Sequence, residues 1–313
     1  MPRQVYFQRE ASDPVLPEET VLTLVRRHVP RAQAVLSVDE SGGEARTYAV
    51  DDAVIVKVQR PQQLRTRTSL EREVVFLRHL AAVAPDLPVP RVLGYGREGP
   101  ALEYTVLGRI PGVAMRRAGL AAPAAGGVLV DLGRLMRRIH GVPQAPLQEC
   151  GLFPGDRGLP DIQMRIAESF WAIGERLQQQ GRGWEFPLSL ERMAILAAEG
   201  VPRGEPLVGL HSNPGPEHTF VDPQSGRFSG LIDFGDAYIS HPAFDLRRWA
   251  GAAHREHLFA GYTAEGPVGP GFTAVWHAVQ MLSAAATAAA GGADAAAAAE
   301  DLHRLLAAAR SGP

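Results

Sequence analysis

The sequence predicts an α+β protein with two lobes, an N-terminal antiparallel sheet carrying one helix and a larger, mainly helical C-terminal part. Three observations support this fold class. Segments of alternating hydrophobicity come first, apolar residues at helical spacing follow, and the segment GRIPG interrupts the pattern between them. We therefore expect an N-terminal lobe of residues 1–108 and a C-terminal lobe of residues 109–313.

The composition is that of an ordinary soluble protein of 313 residues, with 45% hydrophobic and 21% charged side chains. A net charge of -2 offers no electrostatic surface for nucleic acid or anionic lipid, and no segment resembles a membrane span or a secretory leader. The single cysteine, Cys150, excludes a disulfide framework within the chain. We expect a cytoplasmic monomer or homodimer with no nucleic-acid or membrane partner.

Besides cysteine, two amino acids occur only once, and both lie in informative places. Among 32 basic residues the only lysine is Lys57, and the only asparagine is Asn213. Because every other basic residue is an arginine, we infer that the guanidinium group does not fit at position 57. A lysine ammonium is compact and can bind phosphate oxygens in a tight space.

Residues 33–59 predict three short strands, with the glycine turn SGGEA between the first two. In the third strand Val54, Val56 and Val58 share one face, whereas Lys57 lies on the other. The following segment TSLEREVVFLRHLAAVAP predicts a helix with Glu73 on or beside its inward stripe. A buried acid needs a cationic partner, and two further strands at PRVLGYG and ALEYTVL complete this lobe.

The rest of the chain is mainly helical by its apolar spacing, except for a strand pair at HTFVD and FSGLIDF. The alanine-rich stretch 118–127 predicts a loop. A second one, 284–299, predicts a helix interrupted at Gly291 and Gly292. We assign no function to Arg134 or His140.

The order of these features is more specific than any one of them. A glycine turn, a strand lysine and a helix glutamate precede LHSNPGPEHTFVD, LIDFGD and HPAFDL. From about residue 20 to the end, the chain resembles the aminoglycoside phosphotransferase family, the small-molecule branch of the protein-kinase-like fold. The resemblance implies ATP or GTP as phosphoryl donor, Mg²⁺ or Mn²⁺ as metal, and a small-molecule alcohol as acceptor.

The resemblance also implies roles for individual residues. Gly42 and Gly43 would let the backbone approach the phosphates. Lys57 would hold the α- and β-phosphates, with Glu73 holding Lys57. The backbone of Gly108, Arg109 and Ile110 would meet the adenine. Asp233 and His218 would bind the metal, His211 would support the loop between the strands, Asp236 would face the acceptor, and Asp245 would tie the loop together.

Asn213 departs from the family pattern, because it stands where the family has its catalytic aspartate. A carboxamide can orient an acceptor hydroxyl but cannot take its proton, and loss of a general base costs about 10² to 10⁴ in rate. Three explanations are open: a natural degenerate site, an acceptor that needs no base, or a laboratory replacement made to trap a complex.

The implied function is an O-phosphotransferase acting on an alcohol such as an aminoglycoside or another antibiotic. Two alternatives are an inactive nucleotide-binding regulator of the same fold, and a sugar or amino-alcohol kinase of the choline or homoserine type. The aromatic residues of the C-terminal part would suit an apolar acceptor pocket if they lined one wall; they are Trp171, Trp184, Phe186 and Trp276.

Overall fold

A five-stranded antiparallel sheet forms the first part of the computed structural model, which describes residues 14–40, 42, 44–60, 69–98, 102–186, 188–249 and 251–311. Its strands lie in the order β1-β2-β3-β5-β4. They are β1 (Val35–Asp39), β2 (Ala45–Val50), β3 (Val54–Gln59), β4 (Val92–Glu98) and β5 (Leu102–Gly108). Each of the five strands overlaps a predicted segment.

The two faces of the sheet are covered differently. Helix α1 (Glu18–Arg26) buries Val21 and Val25 against Val56 and its neighbours on one face. Helix α2 (Ser69–Val83) lies over the other face, where its Phe76 and Leu80 join the core of the larger lobe. As predicted, the valines of β3 are buried on the α1 side, so Lys57 faces the larger lobe. Helix α1 itself was not predicted.

The larger lobe is built mainly from helices. Its α-helices are α3 (Met115–Ala118), α4 (Ala122–His140), α5 (Ala145–Glu149), α6 (Leu159–Gln179), α7 (Leu190–Glu199), α8 (Ala252–Tyr262), α9 (Pro270–Ala290) and α10 (Ala295–Ser311). A 3₁₀ helix, Pro242–Arg248, precedes α8. The boundary between α9 and α10 lies at the predicted glycine pair. The loop prediction for 118–127 is wrong from Ala122 onwards, because Pro123 is suited to a helix start and Ala125 packs in the core.

The described residues of the larger lobe also form two small sheets of short strands. Strands β6 (Val113–Ala114), β8 (Thr219–Val221) and β9 (Phe228–Leu231) form one antiparallel sheet, and β7 (Val208–Leu210) pairs with β10 (Tyr238–Ser240). The β8–β9 pair agrees with the predicted hairpin. The division of the chain into lobes at residue 108 stays a prediction.

Helices α4 and α8 approach so closely that glycine is required at the crossing. A side chain on Gly133 would overlap the carbonyl oxygen of Leu258, and one on Gly261 would overlap that of Val130. This close packing joins the α8 residue Tyr262 to the end of α4. In the described part of the chain, no helix is both long and apolar enough to span a membrane.

Candidate active site

A lysine and two carboxylates meet between the sheet and the larger lobe. Lys57 Nζ, in the middle of β3, donates to Glu73 Oε1 at 3.1 Å and Oε2 at 2.9 Å. It also donates to Asp233 Oδ1 at 2.6 Å, just beyond the end of β9. An ammonium has three protons, so these three contacts engage its full donor capacity. Glu73 Oε1 additionally accepts the backbone N–H of Phe234 at 3.2 Å, which ties α2 to the residue after Asp233.

The charges of this cluster reinforce one another. Burial opposes the charged form of Lys57, but the charges of Asp233 and Glu73 outweigh it and raise the lysine pKa. Burial also opposes ionisation of Asp233, but attraction to Lys57 and His218 holds its pKa well below the usual range. For Glu73, which is completely buried, burial is the larger effect and raises the pKa despite Lys57. At neutral pH the site therefore presents an ammonium and a partly exposed carboxylate.

The His211 side chain stabilises the loop of residues 211–218, in which it is the first residue. The ring Nδ1 of His211 accepts the backbone N–H of Asn213 at 3.2 Å, and its Nε2 lies 2.8 Å from the carbonyl oxygen of Ile232, to which it donates. These partners define a neutral tautomer, and burial lowers the His211 pKa to about 4. The imidazole thus joins the loop to the residue preceding Asp233.

A buried chain of hydrogen bonds supports the same loop from behind. Asp245 accepts the backbone N–H of His211 at 2.8 Å and of Ser212 at 2.7 Å. His140 Nε2 lies 3.1 Å from Asp245, and His140 Nδ1 lies 3.0 Å from the hydroxyl of Tyr262. Burial raises the Tyr262 pKa to about 12, so at neutral pH its hydroxyl can donate to His140. Asp245 therefore ties the loop as expected, but the part of His140 was missed.

The loop presents the Asn213 side chain on a constrained backbone. Ser212 has φ 84° and Asp233 has φ 72°, both in the left-handed region that non-glycine residues seldom occupy. The Asn213 N–H is engaged by His211, and its carbonyl oxygen accepts from His218 Nδ1 at 2.8 Å. Within the described ranges, no residue forms a hydrogen bond with the Asn213 carboxamide. This amide is therefore available to a bound molecule.

His218 and Asp233 fit a divalent cation. Because the carbonyl of Asn213 can only accept, Nδ1 of His218 carries a proton, and in the neutral form of the ring the lone pair is on Nε2. This Nε2 lies 3.2 Å from Asp233 Oδ2, and two acceptors so close require a proton or a cation between them. Neighbouring ligands of an octahedral ion at about 2.1 Å are about 3 Å apart. No cluster of three or more metal-binding side chains occurs among the described residues, so phosphate or water oxygens would complete the shell.

The predicted nucleotide contacts are only partly described. Gly43 lies outside the described residues. At Gly42 a side chain would crowd the carbonyl oxygen of Ala45, so the tight turn alone requires glycine there. At the end of β5, the Gly108 N–H donates to Arg91 and the Arg109 N–H donates to Ala53. Of the three amides predicted to meet adenine, the Ile110 N–H is the one without an acceptor in the described part of the chain.

Asp236 lies three residues beyond Asp233 and is partly buried. Burial raises its pKa, and the negative charges of Glu44 and Asp233 add to this effect. Arg72 was not singled out in the sequence, yet its Nη1 donates to the Ala237 carbonyl at 3.1 Å and so fixes this segment on α2. Nothing in the local sequence TSLEREVV indicated that Arg72 would make this contact.

The four aromatic residues of the proposed apolar wall do not form one. Trp276 is buried and stacks on Phe259 with ring centroids 5.6 Å apart, whereas Trp171 is 49% exposed. Trp184 stacks on Phe186 and donates to the carbonyl of Leu188. Trp171 and Trp276 lie on different helices, α6 and α9, and Trp184 and Phe186 lie in the segment between α6 and α7.

Comparison with known proteins defines the family. Residues 35–282 match the model of the phosphotransferase enzyme family, so the chain belongs to the aminoglycoside phosphotransferase family of small-molecule kinases. Aminoglycoside 3'-phosphotransferase of Streptomyces fradiae is 26% identical over 193 residues, which are 57% of this chain and 67% of that protein.

Solved structures agree with this assignment at the level of the fold. The GDP complex of wild-type aminoglycoside 2'-phosphotransferase-IIIa has a TM-score of 0.60 at 17% identity and covers 93% of this chain and 99% of its own. The apoenzyme of macrolide 2'-phosphotransferase MphH from Brachybacterium faecium has a TM-score of 0.56 at 22% identity and covers 91% and 98%. The predicted kinase-like α+β fold is thereby confirmed.

Proposed function

We propose that this protein is an ATP- or GTP-dependent O-phosphotransferase that modifies a small-molecule alcohol in the cytoplasm. The observation that carries the proposal is the convergence of Lys57, Glu73 and Asp233, with His218 beside them, next to the loop that presents Asn213. Among the acceptors, antibiotics such as aminoglycosides and macrolides are candidates because relatives are described as acting on them. With such an acceptor the reaction would confer antibiotic resistance.

In this proposal Lys57 holds the phosphates of the nucleotide. Its three protons are already engaged by Glu73 and Asp233, so it must release one partner to bind a phosphate oxygen. Asp233 is that partner, since Glu73 is completely buried and retains its two contacts. Asp233 and His218 would hold a divalent cation, whose charge would offset that of the phosphates. Ile110 would donate its N–H to the base.

Asn213 orients the acceptor in this scheme. Its carboxamide oxygen accepts a hydrogen bond from the acceptor hydroxyl and aligns the hydroxyl oxygen with the terminal phosphorus. The new oxygen–phosphorus bond forms as the bond to the nucleoside diphosphate breaks. The hydroxyl proton passes to solvent or to the transferred phosphoryl group, because the amide cannot take it. Asp236 faces the acceptor.

One observation favours a second candidate, an inactive nucleotide-binding regulator. The side chain at the position of the general base, Asn213, is an amide and cannot act as a base. This reduces the rate of phosphoryl transfer but leaves Lys57 and Asp233 in place for binding the nucleotide.

The Asn213→Asp variant separates the two candidates. The backbone of residue 213 is held by His211 and His218 independently of its side chain, so the variant should keep the loop conformation. We expect nucleoside diphosphate release with an alcohol acceptor to rise by about 10² to 10⁴. The acceptor panel would contain aminoglycosides, macrolides, sugars and amino alcohols, with both ATP and GTP.

The double variant Asn213→Asp with Asp233→Asn is the control, and it should stay inactive because a metal ligand is lost. An Asn213→Asp variant that binds nucleotide but releases no nucleoside diphosphate with any acceptor would support the inactive regulator. A protein whose melting temperature responds to no nucleotide with Mg²⁺ or Mn²⁺ would contradict both candidates.

A further inference from the structure

Arg248 starts beside the Asn213 side chain, and Arg247 precedes it in the chain, with its guanidinium 5.8 Å from the centre of the Phe244 ring. Arg247 and Arg248 end the 3₁₀ helix, and Arg248 Nε donates to the carbonyl oxygen of Ser212 at 3.2 Å. A Cβ atom placed on Gly215 would lie 3.6 Å from Arg248 Cβ and 3.7 Å from Asn213 Oδ1. The Arg248 side chain therefore starts beside the amide that would orient the acceptor hydroxyl.

These two arginines lack the ion pairs that neutralise many others in this protein. Within the described residues, no carboxylate oxygen lies within 4.0 Å of either guanidinium group. By contrast, carboxylates hold the guanidinium groups of Arg27, Arg97, Arg116, Arg138, Arg165, Arg255 and Arg304. Arg248 is exposed at the surface. Burial of part of its side chain, followed by repulsion from Arg247, lowers the Arg248 pKa.

The acids of this region do not cancel that charge. Asp245, on the same 3₁₀ helix, is completely buried and engaged by two loop amides and His140. Glu217 of the loop is paired with Arg116. Asp156 forms three hydrogen bonds with Arg165, whose guanidinium lies over the Tyr238 ring at 4.6 Å. Asp233 is engaged by Lys57 and lies beside His218, which leaves Asp236, whose single charge attracts Arg248 without forming an ion pair within the described residues.

We propose that the acceptor alcohol bears an anionic group, a carboxylate or a phosphate, which Arg247 and Arg248 bind. The inference rests on the proposed function and narrows its acceptor class. Guanidinium groups form charge-assisted, often bidentate hydrogen bonds with these anions, and an amide at position 213 adds no negative charge to repel them. A polycationic aminoglycoside would instead meet two like charges beside the hydroxyl that reacts.

The test compares acceptors that differ only in charge. The protein is saturated with a non-hydrolysable ATP analogue and Mg²⁺, so that the nucleotide site is closed to added anions. Binding is then measured by ligand-observed NMR for glucuronate, glucose and glucosamine, and for glycerate, glycerol and 2-amino-1,3-propanediol. Glucose 6-phosphate and glycerol 3-phosphate distinguish a phosphate from a carboxylate.

We expect the anionic member of a series to bind at least about tenfold more tightly than the neutral one, and the cationic member to bind most weakly. This preference should disappear in the double variant Arg247→Gln with Arg248→Gln. The control, Arg134→Gln with Arg176→Gln, removes the same charge from exposed positions on α4 and α6 and should keep it.

Equal binding across the charge series, failure of every anion to bind, or equal loss of preference in the control would overturn the inference. Nucleotide-induced stabilisation of the Arg247→Gln, Arg248→Gln protein should match that of the unsubstituted protein. If it is lost instead, the arginines bind the terminal phosphate of the nucleotide and the inference is wrong. An absence of nucleotide binding in the unsubstituted protein contradicts the proposed function itself, which keeps the two failures distinct.

Discussion

Lys57 Nζ lies 2.6 Å from Asp233 Oδ1, although the two residues are 176 positions apart in the chain. The same nitrogen holds the buried Glu73, so one ammonium joins β3, α2 and the end of β9. Removal of Lys57 leaves both carboxylates without this cation, and removal of either carboxylate leaves Lys57 with one partner instead of two. This relationship makes the site sensitive to conservative substitutions and provides the first prediction.

Lys57→Met should abolish the rise in melting temperature caused by ATP or GTP with a divalent cation. The substitution removes the phosphate-binding ammonium and also leaves Glu73 buried without a cation, so the protein without nucleotide should be less stable as well. The informative quantity is therefore the difference between melting temperatures with and without nucleotide, measured for each variant. Arg97→Met, which removes an exposed cation from β4 of the same sheet, should retain that difference.

His218→Asn should change the metal preference of nucleotide binding. An imidazole nitrogen suits Mn²⁺ better than Mg²⁺, whereas an amide oxygen suits Mg²⁺. We expect the ratio of nucleotide affinities with Mn²⁺ and with Mg²⁺ to fall by about tenfold. Isothermal titration with each metal measures this ratio. An unchanged ratio would indicate that His218 only braces the Asn213 carbonyl and does not bind the metal.

His140→Ala should destabilise the protein more than Tyr262→Phe does. The first change deprives the buried Asp245 of a hydrogen-bond donor and opens a cavity, with an expected cost of about 2 to 4 kcal/mol. The second removes a single hydroxyl contact, at about 1 kcal/mol. Urea unfolding would measure both. Nucleotide affinity should be preserved in each variant, because neither residue touches Lys57 or Asp233; equal effects of the two changes would argue against the chain of hydrogen bonds.

Acid should destabilise the protein through His241, which is completely buried. Its Nδ1 accepts the N–H of Ala243, and its Nε2 donates to Glu205, so the ring is neutral. Burial and the nearby His140 lower the His241 pKa from 6.5 to about 3. Between these values the unfolded chain binds a proton that the folded protein does not, so stability falls as the pH falls.

The expected loss from this histidine is roughly 2 kcal/mol between pH 6.5 and pH 5, since each pKa unit corresponds to about 1.4 kcal/mol. Urea unfolding at several pH values would measure the slope. His241→Gln should reduce the slope by about one proton in this window; an identical slope in the variant would show that other groups cause the acid sensitivity.

Gly133→Ala should destabilise the protein by about 1 to 3 kcal/mol, because the new methyl group would overlap the backbone of α8 at the carbonyl of Leu258. Gly127→Ala, six positions earlier in α4, is the matched control. No atom lies within 4 Å of its added methyl group, so alanine should stabilise the helix by about 0.5 to 1 kcal/mol. Thermal unfolding of the two variants should therefore shift in opposite directions, and shifts of the same sign would contradict the close crossing.

The strands and helices of the site were predictable where the pattern is local. Alternation placed Lys57 opposite the valines of β3, and helical spacing placed Glu73 on the inward face of α2. The family resemblance supplied the positions of Asp233 and His218. Helix α1 was missed although it has a clear apolar stripe at Val21 and Val25, and the alanine stretch before Val128 was read as a loop because its composition has little periodicity.

By itself, the sequence determined the order of the elements, the faces on which the lysine and the glutamate lie, and the amide at position 213. Those features follow from backbone periodicity and residue identity, which act over a few neighbouring positions. Only the tertiary structure decided that His140 supports Asp245, and that Arg248 lies beside the Asn213 loop with no carboxylate partner among the described residues. Such contacts join residues that are distant in the chain, and packing of the core brings them together. The sequence around each residue does not indicate whether its side chain has such a partner.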